Sequence, residues 1–376
     1  MKVWIIGRNY PQLSNRMSGS FELEQAKMLA SKGLEVYYLT VCLHPVRKIR
    51  NGGIQLWEED GVLIFSYSKR FVPRMKGLYF GRFRDRIWNY FLREVENKVG
   101  KPDVIHLHYP IMMLLANVMK KYHDETIKIV VTEHWSKVLT KQLDSYELKQ
   151  QKKYVDFVDS YICVGNPLRN SILEMTNSKR EILIVPNIIN QAFKPKDIRY
   201  EEFTFIVVGR LVKIKQVDKI IMAFSKLFKG NIKVKLVIVG GGEEENNLKM
   251  LVQKLYIEDQ VNLVGSLNRI DTASMVSEAA CLICYSEFET FGVPIIEAWA
   301  CGIPSIVTTS VSVMSKFDEK LGIEISPNDF EGLKNAMLYV YEHQEHYDKN
   351  YIVNFAINHF SEDVIANRLI EIYKKI

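Results

Sequence analysis

Two glutamates eight positions apart, Glu289 and Glu297, enclose Thr290-Phe291-Gly292-Val293-Pro294-Ile295-Ile296. Pro294 suits the first turn of a helix, which leaves the amides of Phe291, Gly292 and Val293 outward at a positive helix end, ready for an anion. Glu297, about one turn into the helix, can reach the same cleft, which gives two carboxylates around one anion pocket. Glu297 lies in the apolar run 293–300, where an isolated charge is costly, so a solvated side chain is the weaker expectation there. A second cluster is Gly209-Arg210-Leu211-Val212-Lys213-Ile214-Lys215. Arg210 offers a planar fork and Lys215 a compact point charge, a pair suited to a leaving pyrophosphate; the bland alternative is two surface cations at a strand end. Gly240, Gly241 and Gly242 close the next strand, where glycine permits close backbone approach, or simply a turn.

The elements that must position these residues are legible as short apolar runs. Val3–Gly7, Val36–Thr40, Leu63–Tyr67, Val104–His108, Ile129–Thr132, Tyr161–Val164 and Ile182–Val185 read as buried strands, with helical patterns such as Phe21–Ser31 between several of them. A second series runs Phe205–Val208, Val234–Val239, Val261–Val264, Cys281–Tyr285, Ser305–Val307 and Gly322–Ile325. Val217, Ile220, Ile221, Phe224, Leu227 and Phe228 repeat at helical spacing, as do Leu248, Leu251, Val252 and Leu255. Alternation of strand and helix predicts an α/β chain of two doubly wound, Rossmann-like domains. The expected limits are 1–190 for the first domain, 191–200 for a linker, 201–360 for the second domain, and 361–376 for a closing helix packed back on the first.

Taken together the motifs resemble those of the family 4 glycosyltransferases, retaining enzymes of the GT-B fold, in which two such domains face a central cleft. Glu289 to Glu297 reproduces the family's E-x7-E motif, and Gly209-Arg210-Leu211 with Lys215 and Asp218 matches its G-R-x…K-x-x-D segment. Val239-Gly240-Gly241-Gly242 matches its glycine turn, and Val185-Pro186-Asn187 its pre-linker P-N. The resemblance implies that Arg210 and Lys215 bind the donor diphosphate, Glu297 the ribose and Glu289 the transferred sugar. Gly209, Gly241, Thr290, Phe291 and Gly292 would line the same donor site. Gly19, before the first helix, stands where the family has a glycine-rich loop, and His134 where it often has an active-site histidine; a histidine capping a strand is the alternative for the latter. The chain departs from the pattern at Gln216, where glycine is usual, at Asn190, where aspartate is common, and across Ser310–Met314, which lacks paired glycines.

The implied activity is retaining transfer of a hexosyl unit from a nucleotide diphosphate sugar to a glycan or lipid-linked acceptor, in envelope or capsular polysaccharide synthesis. The competing readings are an epimerase of the same fold and a catalytically silent nucleotide-sugar binder. Neither cofactor nor metal is implied, because fixed cations and a helix terminus can neutralise the diphosphate. His106 and His108 share a strand face but lack a nearby third ligand, so they are read as buried structural or acceptor-side groups. Five cysteines form no framework and read as reduced core thiols.

Composition excludes collagen-like, disordered and disulfide-scaffold classes: 47% of the 376 residues are apolar and 25% charged. No run approaches a membrane span or a signal peptide, so the chain is expected in the cytoplasm. The net charge of +6 is uneven, +10 over residues 1–190 and −4 over 191–376. Seven cations face the single acid Asp85 between Lys69 and Arg86, with aromatics interleaved. The stretch predicts reversible attachment to the inner face of an anionic membrane, the alternatives being contact with an acidic substrate and a solvated loop with ordinary charges; nucleic acid is disfavoured, since no recognised module accompanies it.

Overall fold

The computed structural model describes residues 1–10, 19–45, 52–71, 82–109, 115–122, 126–196, 202–311, 313 and 317–376. Backbone packing divides the chain into two compact units, Met1–Val185 with Ile365–Ile376, and Pro186–Val364. The division falls slightly before the expected limit of 190 because Ile188, Ile189 and Phe193 are buried and the Ile189 amide donates to the Phe360 carbonyl at 3.0 Å, all within the second unit. Residues 197–200 of the expected linker, and 72–81 of the basic stretch, lie outside the described residues.

The first unit contains β1 (Lys2–Ile6), β2 (Glu35–Pro45), β3 (Gly53–Glu59), β4 (Val62–Phe71), β5 (Val104–His108), β6 (Lys128–Glu133), β7 (Ser160–Cys163) and β8 (Leu183–Ile184). They form one sheet in the order β3-β4-β2-β1-β5-β6-β7-β8, parallel except for the β3–β4 pair. Strand β1 is apolar throughout Val3–Ile6 and wholly buried, as a central parallel strand with both faces covered must be. The antiparallel β3 was not foreseen. Its Gly-Ile-Gln-Leu-Trp-Glu-Glu sequence has no continuous apolar run because it is an edge strand, joined to β4 through Asp60 and Gly61 in positive-φ conformations (49° and 74°). From Ile365 on, the C-terminal helix Glu362–Lys375 belongs to this unit, burying Ile365, Ala366, Leu369 and Tyr373.

In the second unit β9 (Phe203–Val208), β10 (Val234–Val239), β11 (Val261–Gly265), β12 (Cys281–Cys284), β13 (Ser305–Thr308) and β14 (Gly322–Ile325) form a parallel sheet in the order β11-β10-β9-β12-β13-β14. The helix Val217–Phe228 buries Val217, Ile220, Ile221, Phe224 and Phe228 of the face its periodicity marks, with Ala223 beside them and Leu227 partly buried. Phe224 and Phe228 pack 5.6 Å apart, and Phe228 also meets Phe205 at 5.6 Å. Each fully buried ring contributes about 1.5 to 3 kcal/mol. Both sheets reverse their winding once, between β1 and β5 and between β9 and β12. Ligands of open α/β sheets bind outside the carboxyl ends of the strands at such points.

Candidate active site

The chain leaves β9 through Gly209 and Arg210 and reaches a short 3-10 turn, Lys213–Lys215, before the helix that begins at Val217. Across the reversal point it leaves β12 through Tyr285 and Ser286 and runs by Glu289 to the helix Val293–Ala300. Arg210, Lys215, Ser286 and Pro294 line one cavity at this point, with Gly209. Lys215 forms an ion pair with Glu289, joining the two sequence clusters. Burial works against the Lys215 charge, but Glu289 outweighs it and holds the ammonium above the ordinary lysine value. Arg210 stays exposed beside them.

The backbone around these side chains is tightly packed. Gly240 has φ +146° and lies so close to the β9 exit that an added Cβ would stand 1.8 Å from the Gly209 carbonyl oxygen, so only glycine fits. The Leu211 amide donates to the Gly241 carbonyl at 3.1 Å, and the Glu244 amide to the Leu211 carbonyl at 3.0 Å. The glycine turn therefore braces the loop that carries Arg210. Gln216, at φ 50°, donates from Nε2 to Glu287 at 2.7 Å and to Asn328 at 2.6 Å. It thus takes the left-handed conformation that glycine would adopt freely, held there by two side-chain hydrogen bonds.

Gly292 caps the helix Val293–Ala300 at φ 100°, with Phe291 buried against Phe360 at 6.0 Å and Thr290 half-buried. Glu297, 2% exposed, forms an ion pair with Arg269, the first residue of the helix Arg269–Ser277. The cost of its buried charge is therefore met within the protein, by a guanidinium that sequence spacing did not single out. At the end of β13, Thr308 and Ser310 both donate to the Ser286 carbonyl, at 2.7 and 3.0 Å. Ser312 and Met314 of the segment lacking paired glycines lie outside the described residues.

The reversal point of the first unit gathers a different set. His134 follows β6, and its Nε2 lies 2.9 Å from His108 Nδ1. Its ring stacks on Tyr109 at 5.0 Å and His108 at 5.2 Å, and His108 stacks on His106 at 4.6 Å. His106 in turn contacts Thr132 Oγ1 at 2.7 Å and the Tyr373 hydroxyl at 2.6 Å. Arg8, two residues past the end of β1, lies over Tyr109, 3.6 Å from the ring centroid. Burial, then Arg8, pushes His134 down to about 3, and burial depresses His106 and His108 too, so the three imidazoles are neutral near pH 7. Glu133, wholly buried, accepts the amides of His134 and Trp135 at 2.9 Å each; burial nevertheless raises it to about 7. Gly19 starts the helix Ser20–Ser31 at φ 90°, where a Cβ would stand 1.9 Å from the Asn9 carbonyl oxygen.

The sequence matches the family model described as Glycosyltransferase Family 4 over residues 21–193 and that described as Glycosyl transferases group 1 over residues 189–353. The chain belongs to the family 4 glycosyltransferases. It is 29% identical over 310 residues to N-acetyl-alpha-D-glucosaminyl L-malate synthase of Bacillus anthracis, covering 80% of this chain and 77% of that protein. The fold is GT-B, shared with sucrose-phosphate synthase of Thermosynechococcus elongatus at a TM-score of 0.79 and 20% identity over 99% of this chain and 98% of that one. Anabaena HepE, in complex with UDP and glucose, superposes at 0.74 with 14% identity over the whole of both chains.

Within this family member the structure joins Lys215 to Glu289 and sets Arg210 and the glycine turn beside them, while His134 and Gly19 belong to the other unit. Sequence reasoning missed Arg8, Glu22, Tyr109 and Arg269. Arg8 carried one usable signal: it is the first charged residue after the apolar run Val3–Ile6.

Proposed function

We propose that the protein transfers a sugar, with retention, from a nucleotide diphosphate sugar held by the second unit to a glycan or lipid-linked acceptor taken up by the first, in the assembly of an envelope or capsular polysaccharide. The observation that carries this reading is the Lys215–Glu289 ion pair beside Arg210 at the β9/β12 reversal point. Two cations there match a diphosphate, and a carboxylate on a loop before a helix N-terminus matches sugar hydroxyls. The acceptor oxygen attacks the anomeric carbon on the face from which the diphosphate departs. The carbon–oxygen bond to the leaving phosphate breaks with its electron pair on that oxygen, which then takes the acceptor's proton. Arg210, Lys215 and the Gly292-capped helix end stabilise the charge as it develops, so no divalent metal is required. His134, neutral because it is buried, serves the sugar as a hydrogen-bonding group and carries no charge. The basic stretch Lys69–Arg86 brings the enzyme to an anionic membrane surface where a lipid-linked acceptor is presented.

A screen of nucleotide sugars for release of nucleoside diphosphate, with and without acceptors, tests the assignment. Proton NMR of the first-formed product should show the donor's anomeric configuration. Inversion would overturn retention, and absence of turnover with every donor would overturn the transferase reading.

A further inference from the structure

We infer that Arg8 is an anchor for an anionic acceptor, one that carries a phosphate or carboxylate close to the hydroxyl that is glycosylated; this rests on the transferase reading above. Strand β1 ends at the reversal point of the first sheet, and Arg8 leaves it at the place where such sheets bind ligands. The guanidinium is held from two sides. Its plane lies over the Tyr109 ring at 3.6 Å, and its Nε donates to Glu22 Oε1 at 3.0 Å. Tyr109 is itself backed by His134, His108 and His106 in one stacked column, so the platform under the guanidinium is rigid.

What the guanidinium does not do is informative. Glu22 is fully buried and its Oε2 has no hydrogen-bond partner, yet only Nε of Arg8 reaches this carboxylate. Two parallel N–H···O bonds are a frequent arrangement of these groups, and here the second contact is left open. Instead the two terminal nitrogens, with four N–H donors, carry no hydrogen bond to the described residues, and the side chain keeps 24% exposure. A permanently charged, planar fork with a fixed plane and outer donors unpaired among the described residues is a geometry that receives a phosphate or carboxylate in two-point contact. The nearest titratable groups do not supply a competing cation, since the imidazoles of His106, His108 and His134 are neutral when buried. In the proposed function the donor's phosphates go to Arg210 and Lys215, which belong to the other unit.

Matched pairs of small acceptors test the assignment: glycerol against glycerol 3-phosphate and propane-1,2-diol against lactate in solution, and diacylglycerol against phosphatidylglycerol in vesicles. Glycosylation confined to the anionic members is expected, with the soluble and vesicle arms telling a free anion from a lipid headgroup. Arg8→Ala should raise KM for the anionic acceptor about tenfold to a hundredfold, the scale of one lost charge-assisted contact, and Arg8→Lys should recover part of it. In parallel, calorimetric titration with inorganic phosphate under saturating UDP should detect a site in the wild type that weakens by the same factor in Arg8→Ala. Equal use of neutral acceptors, unchanged phosphate binding in Arg8→Ala, or a loss of UDP affinity in that variant would each overturn the inference. If no donor is turned over, the transferase reading fails by itself, and the phosphate titration still decides whether Arg8 holds an anion.

Discussion

Lys215 rests on Glu289 in the structure, so a diphosphate bound there, as proposed, would have to draw the ammonium away from a carboxylate. Glu289→Gln removes that competition and should bind free nucleoside diphosphate about twofold to fivefold more tightly, the scale of a partly exposed ion pair. Transfer should nonetheless be abolished, because the carboxylate is assigned to the sugar. Calorimetry beside a turnover assay reads both, and normal turnover would remove the assignment. Arg210→Ala and Lys215→Ala should each lower the transfer rate by about 10² to 10³, the usual loss when one group stabilising transition-state charge is deleted. Activity that survives either change, or that needs added magnesium in the variant, would mean the diphosphate is neutralised elsewhere.

At the scale of elements, the helices Arg269–Ser277 and Val293–Ala300 are tied by the Arg269–Glu297 pair, in which the glutamate is buried and the arginine only partly so. Deleting the partner of a buried charge costs more than an ion pair contributes, because the remaining group keeps its desolvation penalty. Discounted for the partial exposure of the guanidinium, Arg269→Ala should destabilise the second unit by about 2 to 3 kcal/mol. Chemical denaturation of the full chain measures this, with Arg269→Lys expected to lose less. No change in the second-unit midpoint would show that Glu297 does not depend on this guanidinium.

For the molecule as a whole, pH acts through the first unit's buried histidines. His106, His108 and His134 stay neutral in the folded chain and take up protons near the ordinary value of 6.5 once unfolded, so stability falls as pH drops below about 6.5. Glu133, raised to about 7 by burial, works in the opposite sense: the folded chain keeps its proton while the unfolded chain loses it above the ordinary 4.5. Three protons taken up against one released leave about two, or about 2.7 kcal/mol of first-unit stability lost per pH unit between about 6.5 and 5. Scanning calorimetry at stepped pH should show this slope, and His106→Gln should reduce it by about one proton. A first-unit transition independent of pH in this window would contradict neutral buried imidazoles. The charge asymmetry makes a separate statement at this scale. With seven cations at about 1 kcal/mol each near an anionic leaflet, cosedimentation with anionic vesicles should be strong at low salt and fade as screening rises. Equal binding to neutral vesicles, or none to either, would remove the membrane role and leave the transferase assignment standing.

Sequence by itself determined the features that are local. Short apolar runs such as Val3–Ile6 and Leu236–Val239 read as buried parallel strands, and the spacing from Val217 to Phe228 presents one apolar helix face. Glycine, proline and charge types at short spacing marked Gly209–Lys215 and Glu289–Glu297 as candidate anion sites, because that chemistry is carried by residue type, while the sugar came only from the family resemblance. Tertiary structure decided the pairings. Lys215 meets Glu289 across 74 residues, Glu297 meets Arg269 across 28, and His106 meets Tyr373 across 267. The edge strand β3 was hidden for a related reason: with one side unpaired it needs no continuous apolar pattern. Which distant side chains converge depends on the order of strands within a sheet, and local spacing does not encode that order. The column from Arg8 through Tyr109 to the three histidines exists only because β1, β5 and β6 lie side by side and end at the same edge.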